Sequence, residues 1–363
     1  MAWLIGAGIV LVLLFCIFYF MKSSKEMPKN FSQLVSEIKV QQCGFLGIVE
    51  DIVLRGANKV DLYKQPGKIA LVTGGNRGIG LRIVKKLVEC DIEVILGVRN
   101  PESSKKAVEE YLEQGKVMAG AKLHYEKLDI GSMKSVRDFA ARVQSKFDKI
   151  HILINNAGVM GVPYKLTDDG LESHMAINYY GHFLLTHLLL PQLRAAGTKE
   201  CRARIVNVSS CVNKIGDINY GDINRTKDYY PADAYNQSKL VQVLFAKHTN
   251  LQFEEDNDLV QAHSVHPGVV NTDLFEHSST TYIPWVRQML FKSPEQGSRT
   301  IVYAAIAPEL EGKGGTYLSN CRVMTCHRFW KNSVQCDKLF RFTCDTLGIK
   351  DFFHKESTGK VVL

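Results

Sequence analysis

Lys68-Ile69-Ala70-Leu71-Val72-Thr73-Gly74-Gly75-Asn76-Arg77-Gly78-Ile79-Gly80 reads as a short apolar strand that runs into a glycine-rich turn. Leu81 to Val88 continues it with helical spacing of apolar residues. Glycines at this junction let the chain turn tightly, let its backbone approach a pyrophosphate and bring the helix close to the strand. The helix N-terminus adds attraction for an anion. A dinucleotide is implied, with Thr73, Gly74, Asn76, Arg77, Gly78, Ile79 and Gly80 as its contacts. The spacing is TGxxxGxG instead of GxGxxG, and a tight structural turn would use the same residues.

Beyond this unit the alternation repeats. Val94 to Val98, Leu123 to Leu128, Ile152 to Ile154, Arg204 to Val208 and Leu259 to Val265 are short apolar runs separated by helical stretches, ending near Tyr317-Leu318. Such runs are buried parallel strands, so the expected fold is α/β, a Rossmann-type doubly wound parallel sheet in one catalytic domain. At the end of the second strand an NAD enzyme needs an acid for the ribose 2′-hydroxyl. Arg99 stands there instead, and with Arg77 it would clamp a 2′-phosphate, which favours NADP(H) over NAD(H). The alternative is a pair of solvated surface arginines. Asp129 is a candidate for the adenine amino group, or else a cap for the helix that begins near Met133.

Tyr235 and Lys239 stand four residues apart, so on a helix they share a face. An ammonium beside a phenol stabilises phenolate and draws its pKa down from about 10, which suits proton exchange with an alcohol or carbonyl. Ser210, after the strand Arg204 to Val208, is placed to hydrogen-bond the same substrate oxygen, with Ser209 its rival by one position.

Thr73-Gly-x-x-x-Gly-Ile-Gly80, Asn155-Asn-Ala-Gly158, Asn178-Tyr-Tyr-Gly181, Val208-Ser-Ser210, Tyr235-x-x-x-Lys239 and His266-Pro-Gly-Val-Val-Asn-Thr272 occur in this order. Together they resemble the short-chain dehydrogenase/reductase family over about residues 66 to 320. Ala157-Gly-Val-Met160 and Asn178-Tyr-Tyr-Gly-His-Phe183 look most like the membrane-anchored retinol dehydrogenase group. His266 to Leu274 and Pro308-Glu-Leu-Glu-Gly312 look like the X-linked dehydrogenase/reductase branch. The resemblance implies a catalytic tetrad of Asn178, Ser210, Tyr235 and Lys239, with Asn178 holding a water that links Lys239 to solvent. It also implies that Asn156, Ala157 and Gly158 line the cofactor, and that Pro267, Gly268, Val270 and Thr272 hold its nicotinamide end. His182 and His266 are read as packing residues, not bases.

The 363 residues are 45% hydrophobic and 23% charged, ample for a large core and contrary to disorder. A net charge of +8 is spread along the chain, which speaks against a nucleic-acid partner. Nine scattered cysteines suit a reduced protein, and Cys321, Cys326, His327, Cys336 and Cys344 have no zinc spacing, so no metal is expected. Residues 1–21 contain the uncharged run Ala2 to Met21, about 30 Å as a helix and long enough to cross a bilayer. Lys22, Lys25 and Lys29 follow it, which places the rest on the cytosolic side. Asn207 and Asn236 begin glycosylation sequons within the expected active site, in agreement with that side. Residues 22–66 carry helix-spaced Phe31, Leu34, Val35, Ile38, Leu46, Val49, Ile52 and Val53, lying either on the membrane or on the catalytic body. The catalytic domain is expected over 67–320, followed by a cysteine-bearing extension over 321–363.

The expectation is a single-pass protein of the endoplasmic reticulum membrane that interconverts an apolar alcohol and its aldehyde or ketone, with Tyr235 passing the proton. Retinol/retinal leads, followed by sterols and polyprenoids. The greasy segment Asp273 to Pro294 would cover such a substrate or simply pack on the body. The partners are thus a lipophilic small molecule and a membrane, with a homodimer left open. The rival is a binding or regulatory protein that keeps the fold.

Overall fold

The computed structural model describes residues 28–275 and 284–355. Each expected apolar run is a strand: β1 (Ile69–Thr73), β2 (Glu93–Val98), β3 (Leu123–Lys127), β4 (Ile152–Asn155), β5 (Ala203–Val208), β6 (Val260–His266) and β7 (Tyr317–Ser319). A short β8 (Arg322–Val323) completes an eight-stranded sheet in the order β3-β2-β1-β4-β5-β6-β7-β8. All neighbours are parallel except β7 and β8. The central strands are buried along nearly their whole length because helices cover both faces, and this is why they read as continuous apolar runs.

The helices are α1 (Phe31–Val53), α2 (Gly78–Glu89), α3 (Pro101–Gln114), α4 (Met133–Lys146), α5 (Gly181–Ala196), α6 (Pro231–Glu255), α7 (Pro284–Leu290), α8 (Pro294–Ile306) and α9 (Ser333–Leu347). One face of the sheet packs on α2, α3 and α8 through Ile83, Leu87, Val108, Leu112 and Ile301. The other packs on α4, α5, α6 and α9 through Phe139, Leu189, Phe245 and Phe340. Asn100 and Ser132 cap α3 and α4, and Ser293 with Gln296 forms a capping box on α8. At α2 the N-cap is Arg77, which makes no such bond. Strand order reverses between β1 and β4, so a crevice opens at their carboxyl ends, where sheets of this kind hold ligands.

Two segments at the ends are built into the body. The tail is no loose extension, since Phe340, Phe352 and Phe353 join the core and Thr343 Oγ1 pairs with Tyr179 Oη at 2.8 Å. Helix α1 packs on the catalytic body, one of the two placements left open by its sequence. Its inward side is polar: Gln33 donates to Asp228 at 2.7 Å, Tyr230 Oη donates to Glu37 at 2.6 Å, and Ser36 bonds Asp233. Asp51 pairs with Lys292 at 2.8 Å, with both side chains buried. The expected anchor, residues 1–21, lies outside the described residues, and among these no helix is long and apolar enough to cross a membrane.

Candidate active site

The turn after β1 requires its glycines. Gly74 has φ +65°, and a Cβ there would sit 3.2 Å from Ala157; one at Gly80 would drive into the Gly74 carbonyl. The first turn of α2 carries no acid and no side-chain cap, so its N–H groups are suited to an anion. Thr73 lies just before the glycine turn. It is fully buried, and its Oγ1 accepts from the Asn156 and Ala157 amides at 2.9 Å each and meets His182 Nε2 at 2.9 Å. Asn155 donates to Asn207 at 2.8 Å and ties β4 to β5. Asn156, Ala157 and Gly158 then line the crevice beside the glycine turn.

Arg99 is exposed just past β2, and Arg77 is exposed 3.6 Å from Asp273. No acid occupies either position. Asp129 acts as a turn residue: its carboxylate accepts from the Gly131 amide at 3.1 Å, and its own amide donates to Ser135 Oγ at 2.9 Å. The opposite wall is Pro267 to Thr272. Gly268 has φ +97°, the Val269 amide donates to Asp51 at 2.8 Å, and Lys292 pairs its backbone with Val269 and Asn271. Val270 is buried there, and the Thr272 methyl would lie 3.7 Å from a Cβ on Gly78, which closes this loop against the glycine turn.

Tyr235 and Lys239 lie one turn apart on α6, and Lys239 Nζ is 5.7 Å from the centre of the phenol ring. Nζ donates to the Val208 carbonyl at 2.9 Å. The Ser210 side chain lies beside the Tyr235 phenol and acts to lower its pKa, whereas Ser209 is buried and donates to the Lys239 carbonyl at 2.6 Å. The serine brought to the phenol is therefore Ser210. Asn178 sits in a π-helical turn, Ala176–Tyr180, a local irregularity often found at functional sites. Its amide donates to the Val159 carbonyl at 3.0 Å and Ser238 Oγ at 2.9 Å, and its Oδ1 accepts from the Val159 amide at 2.8 Å. Both amide hydrogens are engaged, so the side chain braces α6 against Val159. A Cβ on Gly158 would lie 3.1 Å from Asn178 Oδ1 and 3.5 Å from Lys239 Nζ, and this joins the crevice to the catalytic set.

Burial pushes the Tyr235 phenol above its ordinary value, although Ser210 pulls it down. Burial thus sets the direction of the phenol, away from the ionisation that the four-residue spacing suggested. Lys239 is itself lowered to about 8 because burial disfavours its charge. Burial also takes His182 down to about 3, a neutral packing group, and His266 Nδ1 accepts from the Cys211 amide at 3.1 Å.

Sequence reasoning missed several neighbours of Tyr235. Cys43 of α1, Cys211, Val212, Met160 and Ile215 form an apolar cluster around it. The His174 ring is 6.2 Å from that of Tyr235 and bonds the buried Glu172 at 2.8 Å. Burial opposes ionisation of Glu172, but bonds from the His174 ring and the His174 and Met175 amides hold its carboxyl below the usual range. Nothing in the spacing of Glu172 and His174 marks them in the sequence. The segment 276–283, part of the expected substrate cover, lies outside the described residues; beside it Phe275 and Phe291 rings meet at 5.4 Å. Among the described residues no cluster of metal-type ligands gathers.

A family model for short chain dehydrogenase matches residues 68–282. Polyprenol dehydrogenase of Homo sapiens is 38% identical over 294 residues, spanning 79% of this chain and 87% of its own length. The chain belongs to the short chain dehydrogenase family. Retinol dehydrogenase 12 of Mus musculus is 36% identical over 286 residues, covering 78% of this chain and 88% of the relative. A solved protein from Mycobacterium Paratuberculosis superposes with a TM-score of 0.63 at 28% identity, over 79% of this chain and 96% of that one. A fold neighbour at 20% identity and TM-score 0.53, 3-ketoacyl-(acyl-carrier-protein) reductase of Brucella melitensis, is complexed with NADH; 70% of this chain and 96% of that one are covered. This short chain dehydrogenase is accordingly an oxidoreductase. Helix α1 and the tail helix α9 lie outside the matched stretch.

Proposed function

We propose that this short chain dehydrogenase is an NADP(H)-dependent oxidoreductase, held at a membrane by residues 2–21, that interconverts an isoprenoid alcohol and its aldehyde or ketone. The observation that carries the reading is the meeting of Tyr235, Ser210 and Lys239 beside a glycine turn in which Gly74 takes φ +65° and a Cβ at Gly80 would meet the Gly74 carbonyl. The uncapped first turn of α2 suits the pyrophosphate, and Arg99 with Arg77 suits a 2′-phosphate. Arg77 would exchange its contact with Asp273 for the phosphate. Asp129 keeps a carboxylate oxygen for the adenine, and Pro267 to Thr272 hold the nicotinamide end.

A nicotinamide bound there supplies the hydride. Tyr235 gives its proton to the carbonyl oxygen, and a phenol kept neutral by burial is the form this step needs. Ser210 donates to the same oxygen and shares its developing charge. Lys239 stabilises the phenolate left behind, while Asn178 fixes Val159 and α6 so that these groups keep their distances. Polyprenol and retinol, for which these relatives are named, are both apolar isoprenoid alcohols. A chain tethered beside the bilayer meets such substrates where they dissolve. Lys22, Lys25 and Lys29 after the apolar run support a cytosolic catalytic domain, with the endoplasmic reticulum as the proposed membrane.

The test is turnover of retinal and of a polyprenal by the full chain in vesicles, with NADPH and with NADH. Product formed only with active Tyr235, and faster with NADPH, is expected. Equal turnover by Tyr235→Phe would refute the catalytic assignment.

A further inference from the structure

Helix α1 is inside out for a helix packed on a water-soluble body. Amphipathic helices ordinarily bury the apolar stripe and leave the polar side in water. Here Gln33, Glu37, Cys43, Gly47 and Asp51 are the buried positions. Phe31, Phe45, Leu46, Val49, Ile52 and Val53 are exposed, Leu46 at 64% and Val53 at 73%. Leu34, Val35 and Ile38 extend the same side at helical spacing, and the exposed polar residues Ser32, Lys39 and Gln42 interrupt or flank it. The polar side cannot turn outward without breaking the Asp51–Lys292 pair and the Glu37–Tyr230 and Gln33–Asp228 bonds. The apolar side is therefore held outward by the fold itself, as a patch of the kind that marks a binding surface.

We infer that the outward face of α1 lies in the interfacial region of a lipid bilayer, as a second contact besides the N-terminal run. What selects lipid is the chain before it. The uncharged stretch from Ala2 ends at Met21, and the ten residues from there to Phe31 reach no more than about 35 Å, so α1 stays beside whatever that stretch enters. The charges along the way are mostly Lys22, Lys25 and Lys29, with Lys39 at the edge of the patch, the sign that anionic headgroups attract. Because Cys43 and Gly47 on the opposite side touch the cluster around Cys211 and Tyr235, the lipid-facing helix also backs the catalytic crevice. The crevice would then lie next to the membrane surface. This inference extends the membrane placement proposed above and is independent of the reaction.

The test uses the full chain in vesicles of phosphatidylcholine and phosphatidylserine carrying a radiolabelled lipid. The photoreactive residue p-benzoylphenylalanine is placed at Leu46, at Ile52 and, for comparison, at exposed Lys106 of α3. Lipid adducts about tenfold stronger at Leu46 and Ile52 than at Lys106 are expected from an interfacial helix. Adducts to polypeptide in place of lipid, whether to other parts of the same chain or to a second copy, would overturn the inference. So would the absence of lipid adducts from chain that still floats with the vesicles. Chain that does not float at all would overturn the membrane placement as well. Retinal turnover, measured separately, fails or succeeds without affecting either outcome.

Discussion

Lys239 is a charged group that the fold buries, and burial lowers it to about 8 from 10.5. Between those values the unfolded chain holds a proton that the folded chain has released, so stability rises as pH climbs through that window, and the cost is fully present at neutral pH. Lys239→Met is therefore expected to abolish activity yet melt a few degrees higher at pH 7 without ligand, with the gain shrinking from pH 8 to 10; scanning calorimetry checks both. In the direction of reduction, the rate should fall as pH rises through about 8, because the proton relay loses its charged member. Tyr235→Phe should lower turnover by about 100-fold or more while NADPH binding, followed by fluorescence, is retained. Arg99→Asp should shift the NADPH to NADH ratio of kcat/KM by about tenfold toward NADH, on the order of 1.4 kcal/mol. At this scale the Tyr and Lys were legible because four-residue spacing fixes a shared helix face. Ser209 and Ser210 were not separable, because residues adjacent at a strand end point to opposite sides and only the neighbours show which side holds the phenol. Asp129 was ambiguous for a related reason, since a carboxylate that folds a turn and one that meets a ligand have the same sequence.

Helix α1 shows what periodicity conveys about an element and what it omits. Its apolar spacing announced a helix, and α1 is one, over Phe31–Val53. The spacing could not say which side meets protein, because that depends on partners far along the chain: Asp228, Tyr230 and Lys292. The Asp51–Lys292 pair is the strongest of these ties. Asn320, in the left-handed turn between β7 and β8, bonds both members, accepting from Lys292 at 2.8 Å and donating to Asp51 at 3.0 Å. Asp51→Ala would leave a buried ammonium without its counter-charge, and we expect about 3–5 kcal/mol lost in denaturant unfolding. Since the Val269 amide also loses its acceptor, KM for the cofactor should rise in the same variant. Asp51→Leu combined with Lys292→Met should recover most of the stability, because removing both charges removes the desolvation cost. Loss of stability equal in the single and double variants would show that packing, not the ion pair, holds this end of α1.

For the molecule as a whole, the alternation of buried runs and helices made the parallel sheet readable, and the strand order puts the glycine turn, Asn156 to Gly158 and Pro267 to Thr272 along one edge. The contribution of the two ends was not readable, because α1 and α9 complete the site and the core through contacts that local patterns do not encode. On the proposed function, the central strands would carry the cofactor and α6 the proton donor. The most direct test of that account is transfer of deuterium from NADPH deuterated at C4 to retinal or a polyprenal, followed by mass spectrometry of the alcohol formed by the full chain in vesicles. One deuterium in the product of the wild-type chain, with the same alcohol formed about 100-fold or more slowly by Tyr235→Phe, is the predicted result. Deuterated alcohol at the same rate from both proteins, or none from either with NADPH or NADH, would contradict the account.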